Sequence, residues 1–595
     1  MSGFLLLFGR PGEEYLSRRI ELIRRRLSAS WRPVVEDPDL CVWIEGALDC
    51  GRPWFDAPIV TIGRVFAREA TDGDLSSVSS LPAWAHDPEI ALGKGILKRI
   101  WGAYVALIRD PSRPGRLSVL RDPLGAQDCL AWQSEGVTFV ASDLSPAIRM
   151  AADPPLALDW DRISTLLANP IDAGEAIAFR DIVGVKPGVL TSFEGSRREE
   201  ALLWSPADHC AGRVPPEPAD PHRLERLVDD CAASWRSCYQ TVLTEISGGL
   251  DSTIIAASLR KVAPSRRTLG VHFFASQPEG DERAFARSAA DALELPLTML
   301  SRETRTISAA EIDAAAVWAR PAINAMDIHY DRALVDQARL QRAEAIFTGQ
   351  GGDAVFFQMA DATVASDLAF RRARSREGLR IVLRIARWTQ TPVWTVLAQM
   401  MWPRRSVIPP PRAVPFLRSG ASSWAPHRWL ADTDDLAPAK RLQLWGLVNS
   451  RVYFGSSLRT LAAEVVHPLM SQPVVEHLLA IPVIELTTGT RDRWIARQAF
   501  AGRLPDQVVW RRGKGDLTAY YGRLVARSAP MLRAYLCDGL LASRGLINAD
   551  VLSRMLVPDQ LARQDYYSEI LTAALIEGWS RHWQTQAATG SDPAS

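Results

Sequence analysis

The sequence predicts two folded parts in series: a sheet-dominated α+β sandwich, then an α/β domain with a parallel sheet and helical additions. Three observations carry that expectation. Up to about residue 205 the apolar runs are short, β-rich and punctuated by glycine and proline (FLLLFG, CVWIEG, VTIGRVF, WGAYVALIRD, LSVLRD, VTFVASD, GVLTSFEG), the spacing of a sheet domain with few helices such as DWDRISTLLAN. Residues 205–222, SPADHCAGRVPPEPADPH, are rich in proline and polar groups without periodicity, which marks a linker. Beyond it strand-like and helix-like segments alternate: TVLTEI before a helix, TLGVHFFA before DERAFARSAADALEL, then LTMLS, a long helical stretch and AEAIFTG. Alternation of this kind reads as parallel strands wrapped by helices, with ligand sites at the carboxyl ends of the strands. After residue 360 the pattern is mostly helical, interrupted by MMWPRRSVIPPPRAVPF.

Composition narrows the class. The 595 residues exceed one ordinary core, so at least two domains are expected. With 69 basic and 68 acidic residues the net charge is +1, and nothing global points to nucleic acid or an anionic surface; any basic patch must be local. The seven cysteines are scattered and form no C-x-x-C pair, which suggests reduced thiols in the cytoplasm and no zinc site. GFLLLFGRPG reads as a first strand, not a signal peptide. No window approaches the roughly 18 to 20 uncharged apolar residues that a membrane span needs.

EISGGLDSTIIAASL, residues 245–259, carries the first chemistry. A strand ends at Ile246 and a helix starts near Ser252, with Ser247, Gly248 and Gly249 between them. Glycines let a ligand approach the backbone, and helix amides point toward it, so a phosphate fits. No lysine follows the glycines, so this is not the G-x-x-x-x-G-K-[ST] loop. Asp251 stands there instead, and an acid beside phosphates makes sense with a divalent cation between them; the plainer alternative is a tight turn with a helix-capping aspartate.

A second turn, TGQGGDAVFF at residues 348–357, follows the strand-like AEAIF. Gly349, Gly351 and Gly352 repeat the close-approach pattern and Asp353 repeats the acid, so two strand ends of one sheet would offer two carboxylates to one Mg²⁺. Read as G-x-G-x-x-A it also matches a dinucleotide fingerprint, but no acid follows at the right distance. The third segment, RDRWIARQAFAGRLPDQVVWRRGKGDL at 491–517, places Lys514 between glycines; taken alone Lys514 is a solvated surface lysine, and in reach of the turns it suits a developing phosphoryl charge.

Together, S-G-G-L-D-S, EGDERAFARSAADAL, T-G-Q-G-G-D and W-I-A-R-x-A with a lysine downstream of LP resemble the synthetase domain of the asparagine synthetase family over about residues 223–530. GAYVALIRD, LSVLRDPLGAQDCLAW, VTFVASDLSPAI and FRDIVGVKPGVLTSF resemble its glutaminase domain. The resemblance implies a glutaminase-like (Ntn-type) sandwich over 1–205, a linker over 206–222, an ATP-pyrophosphatase (PP-loop) domain over 223–585 and a flexible tail over 586–595. Three departures matter. The chain starts Met1-Ser2-Gly3 where the family has Met-Cys, so the glutaminase is expected to be inactive. EVVHPLMSQ, with His467, Pro468, Leu469 and Met470, replaces the family's acid-bearing P-F-L-D. Gln350 stands where the β-lactam and carbapenam synthetases have a tyrosine, and an amide cannot take a proton.

What remains similar is the cysteine-free lasso peptide macrolactam synthetase group. By that resemblance the substrate is a precursor core peptide whose Asp or Glu side chain is adenylated and attacked by its own N-terminal amine. ATP and Mg²⁺ are implied, with a leader peptidase as partner and no nucleic acid. The implied phosphate-binding residues are Ser247, Gly248, Gly249 and Ser252, with Gly349 and Gly351 at the second turn; Ile246 and Val271, near Phe273, would flank the adenine. Asp251 and Asp353 would hold the metal, and together with Lys514 form the catalytic set. His272 reads as structural, Asp281 and Glu282 as a helix start, and Glu464 as a weak substrate contact. The basic, aromatic stretch Phe370–Arg405 either lines a peptide cavity or is an amphipathic helix with a solvated arginine face.

Overall fold

A computed structural model describes the whole chain except residues 1–2, 47, 49, 52–58, 69–87, 111, 276–280, 371–375, 403–406, 419–425, 514–517, 562 and 591–595. Among the described residues the N-terminal half contains β1 (Gly3–Phe8), β2 (Trp31–Glu36), β3 (Leu40–Glu45), β4 (Cys50–Gly51), β5 (Ile59–Ala67), β6 (Ile100–Arg109), β7 (Arg116–Arg121), β8 (Leu130–Ser134), β9 (Val137–Ala141), β10 (Val183–Gly184), β11 (Val189–Glu194) and β12 (Arg197–Leu202). They form two six-stranded sheets, in the orders β10-β8-β9-β1-β3-β2 and β12-β11-β7-β6-β5-β4. The expected sandwich follows from side-chain alternation along buried strands. In β1, Phe4, Leu6 and Phe8 enter the core between the sheets with Val105, Leu107 and Val119, while Leu5 and Leu7 pack outward on Leu16 and Ile23 of the helix Glu14–Arg26.

The second half carries a parallel sheet of β13 (Thr241–Glu245), β14 (Arg267–Phe274), β15 (Leu297–Ser301), β16 (Ala345–Phe347) and β17 (Glu464–Val466), ordered β15-β14-β13-β16-β17. Four strands are the expected ones. The edge strand β17 is not, because EVV is three residues long in a helical neighbourhood. Its carboxyl end carries His467, so the segment that departs from the family signature lies on the edge where ligands of such sheets bind. Glu464 sits at the opposite end of β17, pairs with Ala345 and meets Arg64 of the sandwich at 3.4 Å. It is a contact between the two halves.

The linker is packed down. Ala207 and Cys210 are buried, the Ala211 amide donates to Leu479 O at 2.8 Å, and the Glu217 amide donates to Ala480 O at 3.1 Å. Phe66 and Trp101 of the sandwich meet Trp235 across the junction, with ring centroids 5.0 and 6.1 Å away. Both halves therefore share one continuous apolar core. The C-terminal tail also differs from expectation: the helix Tyr567–Gly590 runs through residues 586–590. It is held where the indoles of Trp579 and Trp583 both donate to Trp318 O at 2.9 Å. The six described cysteine side chains are free thiols, and no described helix is long and apolar enough to cross a membrane.

Candidate functional site

The two glycine-rich turns leave adjacent strands, β13 and β16, and press against each other. In the first, Gly248 has φ +77°, and a Cβ there would stand 3.1 Å from Phe285 Cβ and 3.2 Å from Glu282 O, so glycine is required. Ser252 Oγ accepts from the Ser247 amide at 3.1 Å and lies 3.0 Å from Ser247 Oγ, which accepts from the Gly249 amide at 3.2 Å. This closes the turn over the start of the helix Leu250–Val262, whose N-cap, Gly249, offers no side-chain cap. First-turn amides without a side-chain cap suit an anion.

The second turn shows why its glycines are there. A Cβ on Gly349 would fall 2.4 Å from Ser252 N, and one on Gly352 would fall 2.4 Å from Asp251 Cγ. Gly351, at φ +91°, has Met470 Sδ in the same position. The space that the sequence reserves for a ligand is thus filled, at these positions, by the first turn and by Met470.

Asp251 and Asp353 converge as expected, and the cation that joins them is a side chain. Arg493 Nη1 donates to Asp251 Oδ2 at 2.8 Å and to Asp353 Oδ1 at 2.8 Å, while Nε donates to Asp492 Oδ2 at 2.8 Å. Arg493 sits at φ +51° ahead of the helix Trp494–Phe500, with its amide donating to Phe357 O. Burial works against its charge, but Asp251, Asp353 and Asp492 raise its pKa above the ordinary arginine value. Asp251 is buried, whereas the Asp353 side chain is 50% exposed. Two hard carboxylate oxygens facing one point are the protein share of a Mg²⁺–nucleotide site, in which phosphates and water supply the remaining ligands. The residues fit that ion, provided the guanidinium yields its place. Sequence reasoning passed over Arg493; its only signal was the alternation of arginines around Asp492 in RDRWIAR.

Lys514 lies outside the described residues. Its neighbour Arg511 does reach the first turn: Nη1 donates to Gly248 O at 3.1 Å, Nη2 to Glu282 Oε1 at 2.5 Å, and the guanidinium covers the Phe285 ring at 4.0 Å. Glu282 is therefore an anchor for Arg511. Asp281 accepts from the Arg283 amide at the helix start, as expected.

Ile246 and Val271 are both buried, in separate cores. Ile246 packs on Ala256, Ala286 and Val508, and Val271 packs on Leu243 and Leu334 across the sheet. Neither side chain is open to solvent. His272 is structural, as its alternation suggested: Nδ1 is 2.7 Å from Ile246 O, and burial lowers its pKa. Ser247, Gly248, Gly249 and Ser252 keep their expected place at the helix start.

On the face opposite that helix, Glu245, Thr348 and His467 follow in register along the strand ends. Thr348 Oγ1 is 2.7 Å from His467 Nδ1, and the imidazole stacks on Phe454 at 4.7 Å. Arg459 Nη1 donates to Glu245 Oε1 at 3.3 Å and its Nε lies 3.1 Å from Asp331. Burial raises the Glu245 pKa against the pull of Arg459 and of the Tyr330 hydroxyl. Tyr330 rests on Phe273 at 4.3 Å with Arg302 over its ring at 5.0 Å. A cavity of about 420 Å³ reaches this edge from the sandwich, lined by Arg64, Asp128, Asp143, Tyr239, His467 and Met470 among others.

Burial, and then Arg459, push the His467 pKa from 6.5 down to about 3. The sign follows from linkage. Above pH 6.5 both folded and unfolded chains hold a neutral imidazole; between about 6.5 and 3 only the unfolded chain takes the proton. His467 therefore costs stability as pH falls through that window. Between about pH 7 and pH 5 the wild type is expected to lose about 1 to 2 kcal/mol more than His467→Gln. Urea midpoints at the two pH values measure the difference, and parallel losses in both proteins would contradict an imidazole that stays neutral in the folded chain.

The asparagine synthase family model matches residues 223–581. No curated protein matches the chain. Among solved structures, glutamine phosphoribosylpyrophosphate (PRPP) amidotransferase from B. subtilis, complexed with ADP and GMP, is similar at 9% identity, with 51% of this chain and 83% of that chain covered and a TM-score of 0.21. A structure described as the allosteric regulatory enzyme of purine biosynthesis is similar at 10% identity, with 51% and 82% covered and a TM-score of 0.20.

Proposed function

The chain belongs to the asparagine synthase family, whose members form amide bonds at the expense of ATP, and from that premise we propose that it is a macrolactam (isopeptide) synthetase acting on a lasso precursor core peptide. A side-chain carboxylate oxygen of an Asp or Glu in the peptide attacks the α-phosphorus of ATP, and pyrophosphate leaves. The peptide's N-terminal amine nitrogen then attacks the acyl carbon, AMP leaves with the acyl–oxygen bond broken, and the amine loses a proton to solvent. The observation that carries the ATP step is the convergence of Asp251 and Asp353 beside the uncapped helix start.

Each step asks something definite of the chain. Ser247, Gly248, Gly249 and Ser252 present amides and hydroxyls to the phosphates. Asp251 and Asp353 would hold Mg²⁺, which neutralises charge on the phosphate oxygens. Arg493 keeps the two carboxylates together when no metal is bound, which limits their repulsion. Arg511, three residues before Lys514, donates to Gly248 O at the first turn. Lys514 would then steady charge on the reacting phosphorus or carbonyl oxygen.

Support for a peptide comes from the opposite face of the sheet. No acid stands at His467–Met470 to bind a small amino acid, and Gln350 offers no base. The edge presents Tyr330, Arg459 and Arg302 around Glu245. Holding amine and carbonyl in contact can supply roughly 7 to 11 kcal/mol as effective concentration, so shape does most of what ring closure needs. A leader peptidase would supply the free N-terminal amine.

The test is mass spectrometry of a leader-free core peptide incubated with the protein, ATP and Mg²⁺. The expected result is loss of one water from the peptide with equal amounts of AMP and pyrophosphate. Turnover with ammonia or a small amine and none with peptide would assign a small-molecule amide synthetase; ADP as product would sink the adenylation step.

A further inference from the structure

The chain is neutral overall, yet its charge is not evenly spread. Residues 371–405 contain nine arginines and one acid, Glu377, against a net charge of +1 for the whole chain. The described part of this segment is a pair of packed helices, Arg376–Thr389 and Val393–Met401. Gly378, Val382, Ile385 and Ala386 face inward on the first, and Val396 and Gln399 on the second. The outer stripe of the first is Arg376, Leu379, Arg380, Leu383, Arg384 and Arg387, all exposed at helical spacing. Among the described residues none of these four arginines forms an ion pair or a hydrogen bond with a side chain. Five of the twelve most exposed large apolar side chains described fall between residues 379 and 402, which makes this a patch: Leu379 (53%), Leu383 (50%), Trp394 (74%), Met401 and Trp402 (76%).

We infer that this helix pair is a docking surface for the face of a lipid bilayer carrying anionic phospholipid, independent of the proposed chemistry. The shape decides between lipid and protein. Leu379 and Leu383 stand out singly between arginines on the first helix, and Trp394 and Met401 on the arginine-free second one, so a folded partner would need a separate socket for each, whereas the headgroup layer accepts protruding side chains without one. Guanidinium groups without protein partners find bidentate ones in lipid phosphates, and tryptophan favours the depth where acyl chains meet headgroups. An exposed helix of alternating arginine and leucine lies in that plane; it does not cross it. The absence of a membrane-crossing helix among the described residues agrees with attachment from one side.

Cosedimentation of the full-length protein with phosphatidylcholine vesicles, with and without phosphatidylglycerol, tests the inference, with tryptophan emission as a second readout. Binding is expected only with phosphatidylglycerol, with a blue shift in emission, and is expected to fall as salt is raised. The triple variant Arg380→Gln, Arg384→Gln, Arg387→Gln should bind about a hundredfold more weakly, and Trp394→Ala, Trp402→Ala should lose the blue shift, each with an unchanged circular dichroism spectrum. Equal binding to neutral vesicles, full binding by the triple variant, or no vesicle binding at low salt would overturn it. Capture by polyglutamate without any vesicle binding would assign the patch to an acidic protein instead.

Discussion

Asp353→Asn is expected to reduce ATP-dependent product formation about a thousandfold, equivalent to about 4 kcal/mol of transition-state stabilisation, while thermal stability barely changes. The split arises from exposure. Half of the Asp353 side chain is in solvent, so its pairing with Arg493 adds no more than about 1 kcal/mol to stability. Asn keeps the shape and loses the charge on which a Mg²⁺ ligand depends. Asp251→Asn should lose as much activity but also cost stability, because Asp251 is buried and Arg493 would be left with one fewer counter-charge in the interior. Pyrophosphate release and thermal unfolding, measured on both variants, separate the two effects. Wild-type turnover in Asp353→Asn would remove the metal role from this pair.

Gly349→Ala is expected to cost about 3 kcal/mol of stability and to abolish activity. The added methyl would stand 2.4 Å from Ser252 N and 2.7 Å from Asp251 C, both backbone atoms that have no rotamer to escape into. The two turns must then separate, and with them the carboxylates that converge on Arg493. Gly502→Ala is the matched control: nothing lies within 4 Å of the new methyl, so unfolding midpoint and turnover should stay at wild-type values. A Gly349→Ala protein as stable and as active as wild type would show that the turns do not touch as described.

Lengths of chain whose neighbours dictate their conformation were legible from the sequence. Short, β-rich apolar runs such as FLLLFG and WGAYVALIRD, punctuated by glycine and proline, marked strands, and TVLTEI followed by S-G-G-L-D-S marked a strand, a turn and a helix. That the turns carry acids was visible too. Less legible was β17, since three residues in a helical neighbourhood leave no period to read. The linker composition suggested separation, yet the buried Pro206, Ala207 and Cys210 and backbone bonds to Leu479 and Ala480 pack it down.

The sequence by itself therefore determined the succession of a sheet domain and a strand-helix domain, the two acid-bearing turns and the family chemistry they imply, because propensity and turn geometry act between residues close in the chain. Only the tertiary structure decided what those acids meet. Arg493 is 242 positions from Asp251 and 140 from Asp353, and Arg459, which pairs with Glu245, is 214 positions away from it. The glycines of the second turn likewise owe their necessity to Asp251 and Ser252. Charge pairing and close approach depend on distance in space, and no local pattern encodes which of many arginines the folded chain delivers to a given carboxylate.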